Sequence, residues 1–468
     1  VIADARREGR TVQFGRVHGI CVEKKYELPE GHASRKYKGR VVFLGNQVKN
    51  QNFEQATFMD MGNSPATIES ARLCDFVGCL KGNNVSVADA VQAYIQAHLG
   101  GDTCWINLPK DAYPTIDLDS TYIYEHEDAK RAYEAAVTKW NTMHNPVTIL
   151  RMALYGHPDS VTMWEIKCDE DVKSVGFTLF GAEWPSVYFH DDLKLLLVIY
   201  VDDFKLAGPE GNISKGWALL RSKMSIGPEG PLGMYLGCNQ SRVQIELPGG
   251  IMATCIIYDM ESFLKQCVAR YLEFAGQDTK MKEARTPFLA DEGVHGPARD
   301  PMITDLPCCA WCGYVEVVST LADSKSTVGG EGPLAIDDGD EGQLADGARS
   351  VLMKILYAAR MARFDLLRAV QGLAKHFTNW KKRNDEELYK LVCYIQTSQG
   401  RKMIGWVGDE INAIQPHLFS DSDFAGTEGT LKSMSGVHLC LRGPHTSFPL
   451  SGQSKRQGCV SSSTTEAE

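Results

Sequence analysis

The chain has 468 residues, 43% hydrophobic and 23% charged, an ordinary globular composition that excludes a disordered or collagen-like protein and sets a prior of about three domains at ~150 residues each. Its 49 Lys and Arg against 59 Asp and Glu leave a net charge of −10, so nucleic-acid binding cannot be read from composition and would need a local basic face. The longest apolar run, Leu195–Val201, is far short of the ~20 residues that cross a bilayer, and 14 cysteines without framework spacing suit reduced thiols.

No secretory signal is expected from the Arg-bearing first ten residues. A start at Val1 and an end at Glu468 inside a Ser/Thr/Glu run read as a piece of a longer chain. The basic stretch Arg35–Arg40 runs into apolar Val41–Leu44, which predicts a strand entered by charge. Val85 and Val87 alternate with polar residues up to Asp89, and Ala90–Ala97 follows with helical composition; a strand ending at Asp89 and a short helix are predicted. Leu195–Tyr200 reads as a buried strand that meets Asp202 and Asp203 and resumes at Phe204–Ala207, a hairpin with carboxylates at its turn. Phe263, Leu264, Cys267, Val268, Tyr271 and Leu272 recur at helical spacing. Residues 293–348 hold Cys308, Cys309 and Cys312 and then a Gly- and Asp-rich stretch, the composition of a solvated insertion or linker. Helical periodicity returns over Val351–Phe377 and Glu386–Thr397, and Leu418–Glu468 alternates short β-like runs with Gly and Ser turns.

Two adjacent carboxylates on a tight turn repel unless a cation lies between them, and magnesium, a hard ion taking oxygen ligands, is the natural occupant. An exposed Asp-rich hairpin turn is the competing reading of Asp202-Asp203, and a helix N-cap that of Asp89. Two strand-end carboxylates that meet in space can hold two metal ions for an in-line phosphoryl displacement. Tyr94, just beyond Asp89, could floor a nucleotide sugar; alone it would read as core.

The order of these features along the chain resembles the reverse transcriptase and ribonuclease H portion of a copia-type (pseudovirus) retrotransposon Pol polyprotein. Lys38–Gly45 is similar to the family's KARLVAKG, Asp89–Tyr94 to DVKTAF, and Leu154-Tyr155-Gly156 with Trp164 to LYGLKQAPRAW. Tyr200–Asp203 reads YVDD, Met234–Gly237 resembles YFLG, Thr286-Pro287 the TP step, and Leu356–Val370 the helix that follows it. Ser420–Gly426 resembles SDADWAG, Lys432–Gly436 KSTSG, and Ser462–Glu468 SSTEAE.

The resemblance implies an α+β polymerase right hand (fingers, palm and thumb), then a helical connection and an incomplete ribonuclease H-like domain. The implied boundaries are 1–250 for fingers and palm, 251–292 for a thumb-like region, 293–348 for the insertion, 349–408 for the connection and 409–468 for the truncated ribonuclease H part. It implies an RNA-directed DNA polymerase, a nucleotidyltransferase with catalytic Asp89, Asp202 and Asp203. Two Mg2+ ions would be held in that site by Asp89 and Asp202. Lys38 and Arg40 would grip the triphosphate, and Tyr94 would block a ribose 2′-hydroxyl. Asp421 and Glu466 would bind metal in the ribonuclease H part, where Asp421 and Asp423 share a strand face. Implied partners are an RNA template, a DNA or tRNA primer, dNTPs and an RNA–DNA hybrid, with no membrane, within a larger polyprotein. The expected location is the cytoplasm, in a virus-like particle, and the nucleus.

Departures from the pattern carry their own expectations. Pro158, Asp159 and Thr162 stand where the family has Lys, Gln and Arg, and an acid near a triphosphate would repel it. The third ribonuclease H aspartate is missing, so that part is expected to be inactive. Cys309-Ala310-Trp311-Cys312 gives a single C-x-x-C, too few ligands for structural zinc. The alternative is a decayed element that acts at most as a nucleic-acid-binding protein.

Overall fold

The computed structural model describes residues 1–24, 30–33, 35–58, 65–110, 113, 127–289, 341–423 and 432–461. Most of the expected insertion, with Cys308, Cys309 and Cys312, and the carboxylate of Glu466 lie outside the described residues.

The strands are β1 (Val12–Lys24), β2 (Lys36–Phe43), β3 (Lys49–Asn50), β4 (Asn83–Asp89), β5 (Thr103–Asn107), β6 (Val147–Ile149), β7 (Thr178–Leu179), β8 (Val187–His190) and β9 (Leu195–Tyr200). They continue as β10 (Asp203–Pro209), β11 (Met234–Tyr235), β12 (Cys238–Leu247), β13 (Ile251–Asp259), β14 (Met403–Val407), β15 (Gln415–Ser422), β16 (Met434–Gly443) and β17 (Thr446–Arg456). The α-helices are α1 (Ile2–Glu8), α2 (Ile68–Cys79), α3 (Glu127–Thr142), α4 (Ser160–Ser174), α5 (Glu210–Arg221), α6 (Glu261–Ala275), α7 (Ala345–Ala362), α8 (Leu367–Ala374) and α9 (Lys382–Ser398). The predicted strand ends at Asp89, and the short helix after it is a 3-10 turn, Ala93–Gln96.

The chain divides into two units, and the division cuts across the expected boundaries. The first comprises residues 1–67, 88–204 and 214–229, and the second 68–87, 205–213 and 230–468. The expected block 1–250 is therefore not one unit, because β4, β10 and α5 each begin in one unit and end in the other. The expected thumb-like stretch opens on strand β13, rich in β-branched and apolar residues, before the predicted helix forms over Glu261–Ala275. The helix expected from residue 349 begins at Ala345.

In the first unit β2 pairs antiparallel with β1, β1 lies parallel to β5, and β6 closes the far edge. The first residues of β1 are buried and the rest exposed, so the β1–β2 hairpin extends into solvent beyond its anchored end. Phe43, Val48, Ala56, Cys104 and Ile106 form the core at that anchor. A second layer holds β7, β8 and β9 in antiparallel order. Leu195–Ile199 are each no more than 5% exposed, as a continuous apolar run predicts.

In the second unit β4 lies beside β10, and a seven-stranded sheet runs in the order β11-β12-β13-β14-β17-β16-β15. That sheet takes strands from four of the expected domains. The short β14 joins them by pairing with β13 on one side and β17 on the other. Helices α2, α7 and α8 cover one face, with Phe76 of α2 edge-on to Phe448 of β17 at 5.6 Å. Buried Arg72 of α2 donates to the carbonyls of Leu450, Arg360 and Met361, which satisfies acceptors at the end of α7 and on β17. The described cysteines are free, and all but Cys21 and Cys459 are buried. No described helix is long and apolar enough to cross a membrane.

Candidate active site

The β9–β10 turn carries Asp202 and Asp203, both half-buried, at the end of the most deeply buried strand of the first unit. Val201, a β-branched residue, takes φ +57° there, a conformation that costs energy unless the surroundings hold it. Trp164 of α4 supplies part of that hold. Its ring is 1% exposed and its indole N–H donates to the Val201 carbonyl at 2.7 Å.

The end of β4 reaches the same turn. The Ala90 N–H donates to the Asp202 carbonyl at 2.8 Å, and the Gly227 N–H donates to the Asp89 carbonyl at 2.9 Å. These bonds bring Asp89, whose side chain is exposed, beside Asp202. All three expected catalytic carboxylates thus belong to one unit and one neighbourhood.

Tyr94 stands on the 3-10 turn after Asp89, and its ring meets Tyr155 at 4.6 Å and 60°. The guanidinium of Arg40 lies over the Tyr155 ring at 5.7 Å. Burial raises the phenol pKa of Tyr94, with Tyr155 and the Asp202 charge adding to it, and burial and Asp202 raise that of Tyr155. Both rings therefore stay neutral beside the carboxylates. Tyr155 is the residue that sequence reasoning placed in a motif without giving it a role; it joins the basic hairpin to Tyr94.

Lys38 and Arg40 share a face of β2 with Lys36, and Lys24 lies across from Lys36 on β1. β2 is the edge of its sheet, so the lysines are also solvated. The charge of Lys24 lowers the Lys38 pKa most, followed by partial desolvation and Arg40, while Asp202 raises it. A row of like charges held this way costs free energy that an anion would relieve.

Asp159 is placed differently from the expectation of a repelling acid. It is 5% exposed, at the N-terminal cap position of α4, beside buried His157, whose pKa burial lowers and the Asp159 charge only partly restores. The Asp159 N–H donates to His157 Nδ1 at 3.2 Å, and the imidazole packs against Phe43 and Phe58. The carboxyl is not presented to solvent.

Glu165, next to Trp164, was not singled out from sequence. Both of its carboxyl oxygens are enclosed without a hydrogen-bond partner, and burial pushes its pKa up to about 7. A carboxyl whose folded-state pKa is raised stabilises the fold fully below its unfolded value near 4.5 and loses that contribution as pH rises through about 7. Thermal melts of the parent are expected to fall between pH 4.5 and 7 relative to Glu165→Gln and to level off above, so the variant should melt higher at pH 8. Parallel pH profiles of the two proteins would refute the assignment.

Among the described residues no three His, Cys, Asp or Glu side chains gather as a metal cluster. Magnesium does not need one. It usually takes one or two protein carboxylates and completes its octahedron with water and substrate phosphates. Asp89 and Asp202, accessible oxygen donors on adjoining strand ends, fit that demand.

In the second unit Asp421 and Asp423 line a cavity of about 440 Å3 with Phe419, His438, Phe364 and Arg368. The Asp423 carboxylate accepts the Met434 N–H at 2.6 Å and faces Arg368 at 3.8 Å. Asp421 is exposed on the same strand face, the better placed of the two to take a ligand. Its expected partner Glu466 is outside the described residues.

No family model matches the chain. A curated relative, the retrovirus-related Pol polyprotein from transposon TNT 1-94 of Nicotiana tabacum, is 23% identical over 324 residues, which are 68% of this chain and 20% of the relative. The chain spans about a fifth of the length of that relative. The chain is thus distantly similar to a retrotransposon Pol polyprotein, the kind of protein that the ordered motifs resemble.

Proposed function

We propose that the chain is the reverse transcriptase part of a copia-type retrotransposon Pol polyprotein, with a polymerase right-hand fold, adding deoxynucleotides to a primer 3′ end on an RNA template. The observation that carries this reading is the convergence in one unit of Asp89, Asp202 and Asp203 with Tyr94, Tyr155 and the basic hairpin. Bound magnesium would supply charge neutralisation for the phosphates and the primer oxyanion. Asp89 and Asp202 would hold it.

The rest of the chemistry falls to side chains of this unit. Lys38 and Arg40 offer positive charge on an open strand face, suited to a triphosphate. Tyr155 holds Arg40 on one side and braces Tyr94 on the other, so the Tyr94 ring is kept where a sugar ring would lie. A 2′-hydroxyl would then meet that ring. The Trp164 bond to Val201 keeps the strained turn from relaxing away from the substrate. The part around Asp421 is assigned to RNA–DNA hybrid binding, with cleavage requiring carboxylates beyond Asp421.

The test is primer extension on a poly(rA) template with an oligo(dT) primer, with magnesium and with chelator. Magnesium-dependent extension is the expected result. A folded chain that binds template yet never extends the primer would leave a nucleic-acid-binding remnant instead. Tyr94→Val is expected to lower the preference for dTTP over ribo-UTP by about 10- to 100-fold, ~1.4–2.7 kcal/mol of discrimination. An unchanged ratio would remove Tyr94 from the sugar pocket.

A further inference from the structure

Lys205 follows the Asp202-Asp203 turn by two residues and is 0% exposed. A lysine at that depth is rare and costs a large desolvation penalty unless its charge is paired. Its Nζ donates to Asp75 Oδ1 at 2.7 Å and to Gln240 Oε1 at 2.9 Å, and lies 4.1 Å from the centre of the Tyr235 ring. Asp75, also 0% exposed, accepts the Tyr258 hydroxyl on its other oxygen at 2.9 Å. Gln240 and Tyr258 are themselves cross-strand partners. Asp75 of α2, Tyr235 of β11 and Gln240 of β12 meet the ammonium that β10 carries, and Tyr258 of β13 holds Asp75.

A buried ion pair is a poor way to gain stability, because well-packed apolar residues of similar volume usually do as well or better. What it does supply is a position that nothing else can fill. Along β10 the side chains alternate, so Asp203, Lys205 and Ala207 share one face and Phe204 and Leu206 the other. A slip of one residue would drive Phe204 or Leu206 into the polar slot and Lys205 into the apolar side. Apolar side chains alone mark register only by volume and face, whereas an ammonium in the wrong slot is left charged and unpaired.

We propose that the Lys205–Asp75 pair is a register pin for β10, which fixes where Asp202 and Asp203 stand along the strand and makes Lys205 a positioning residue for the chemistry at that turn. The catalytic consequence rests on the polymerase reading above; the register consequence does not.

The experiment compares the parent chain with Lys205→Met/Asp75→Leu, in which an apolar pair replaces the ionic one. Three readouts are taken: melting temperature, amide hydrogen exchange of the peptide spanning residues 200–206, and primer extension in magnesium. The double variant is expected to melt within a few degrees of the parent, yet to exchange about tenfold faster in that peptide and not over β15–β16. Extension should fall about tenfold in kcat at unchanged KM for dTTP, since misplacement of reacting groups lowers the chemical step. Equal melting with unchanged exchange would overturn the proposal, and so would faster exchange shared equally by β15–β16. If the parent itself does not extend primers, the polymerase reading fails and the exchange result alone decides the pin. If the double variant does not fold, Tyr258→Phe decides, because it keeps the ring and removes only the bond to Asp75. It is expected to speed exchange over residues 200–206 about threefold, and no change there would overturn the pin.

Discussion

Asp202→Asn is expected to reduce primer extension by about a thousandfold or more, ~4 kcal/mol of transition-state stabilisation, with a melting temperature within a few degrees of the parent. The two halves of this expectation have separate causes. The Asp202 contact that holds the turn to β4 is made by its backbone carbonyl, which accepts the Ala90 N–H, so an isosteric amide leaves that bond in place. The side chain is half-buried on an accessible turn, and changing it leaves no deeply buried group unpaired. The carboxylate charge is another matter. Phosphoryl transfer gains nearly all its acceleration from positioning and charge stabilisation, and an amide offers neither the charge nor the metal affinity of a carboxylate. Asp171→Asn serves as the control, because Asp171 pairs with Lys167 within α4 and touches no part of the site. Its extension rate should match the parent. Loss of extension in both variants, or in neither, would remove Asp202 from the chemistry.

The parts of this site that sequence revealed are those whose signal is local. The apolar run Leu195–Val201 followed by two acids announces β9 and its turn, because a buried strand must surface somewhere and the acids mark where. The spacing of Phe263, Leu264, Cys267, Val268, Tyr271 and Leu272 announces α6 in the same way, and the structure forms it over Glu261–Ala275. What local signal cannot carry is pairing across long separations. Lys205 in a strand reads as a solvent-facing residue until Asp75, on a helix far upstream, is found against it. Asp159 reads as a threat to an anion until its burial beside His157 is seen. β14 is five residues long and unremarkable in sequence, yet it joins β13 to β17 and so merges segments that the family resemblance places in separate domains. The weaving of β4, β10 and α5 between units has the same origin: unit membership follows from contacts between distant residues, not from composition.

Gly156→Ala is expected to cost about 2–4 kcal/mol of stability, read as a lower urea midpoint at unchanged slope. Gly156 has φ +90°, outside the range that residues with a Cβ adopt readily, which alone costs roughly 1 kcal/mol. Steric overlap costs more. A Cβ at Gly156 would lie 2.1 Å from the Phe43 carbonyl oxygen and 2.9 Å from a Val42 methyl, and a backbone oxygen cannot swing aside as a side chain can. The close approach exists because the Phe43 N–H donates to the Tyr155 carbonyl at 2.7 Å, locking the anchored end of β2 to the segment that carries Tyr155. Phe43 is 1% exposed and heads the core of its sheet, so it has little room to retreat. The consequence for the site follows from the neighbour: any retreat of the Tyr155–Gly156 segment moves the ring that braces Tyr94 and receives Arg40. Gly156→Ala should therefore also raise KM for dTTP, by about threefold to tenfold, since triphosphate and sugar contacts shift together. Gly39→Ala, on the exposed part of the same hairpin with nothing within 4 Å of its added methyl, should change stability by less than about 0.5 kcal/mol. Equal midpoints for the two variants would show that the β2 anchor tolerates a side chain at Gly156, and that Tyr155 is not held by it.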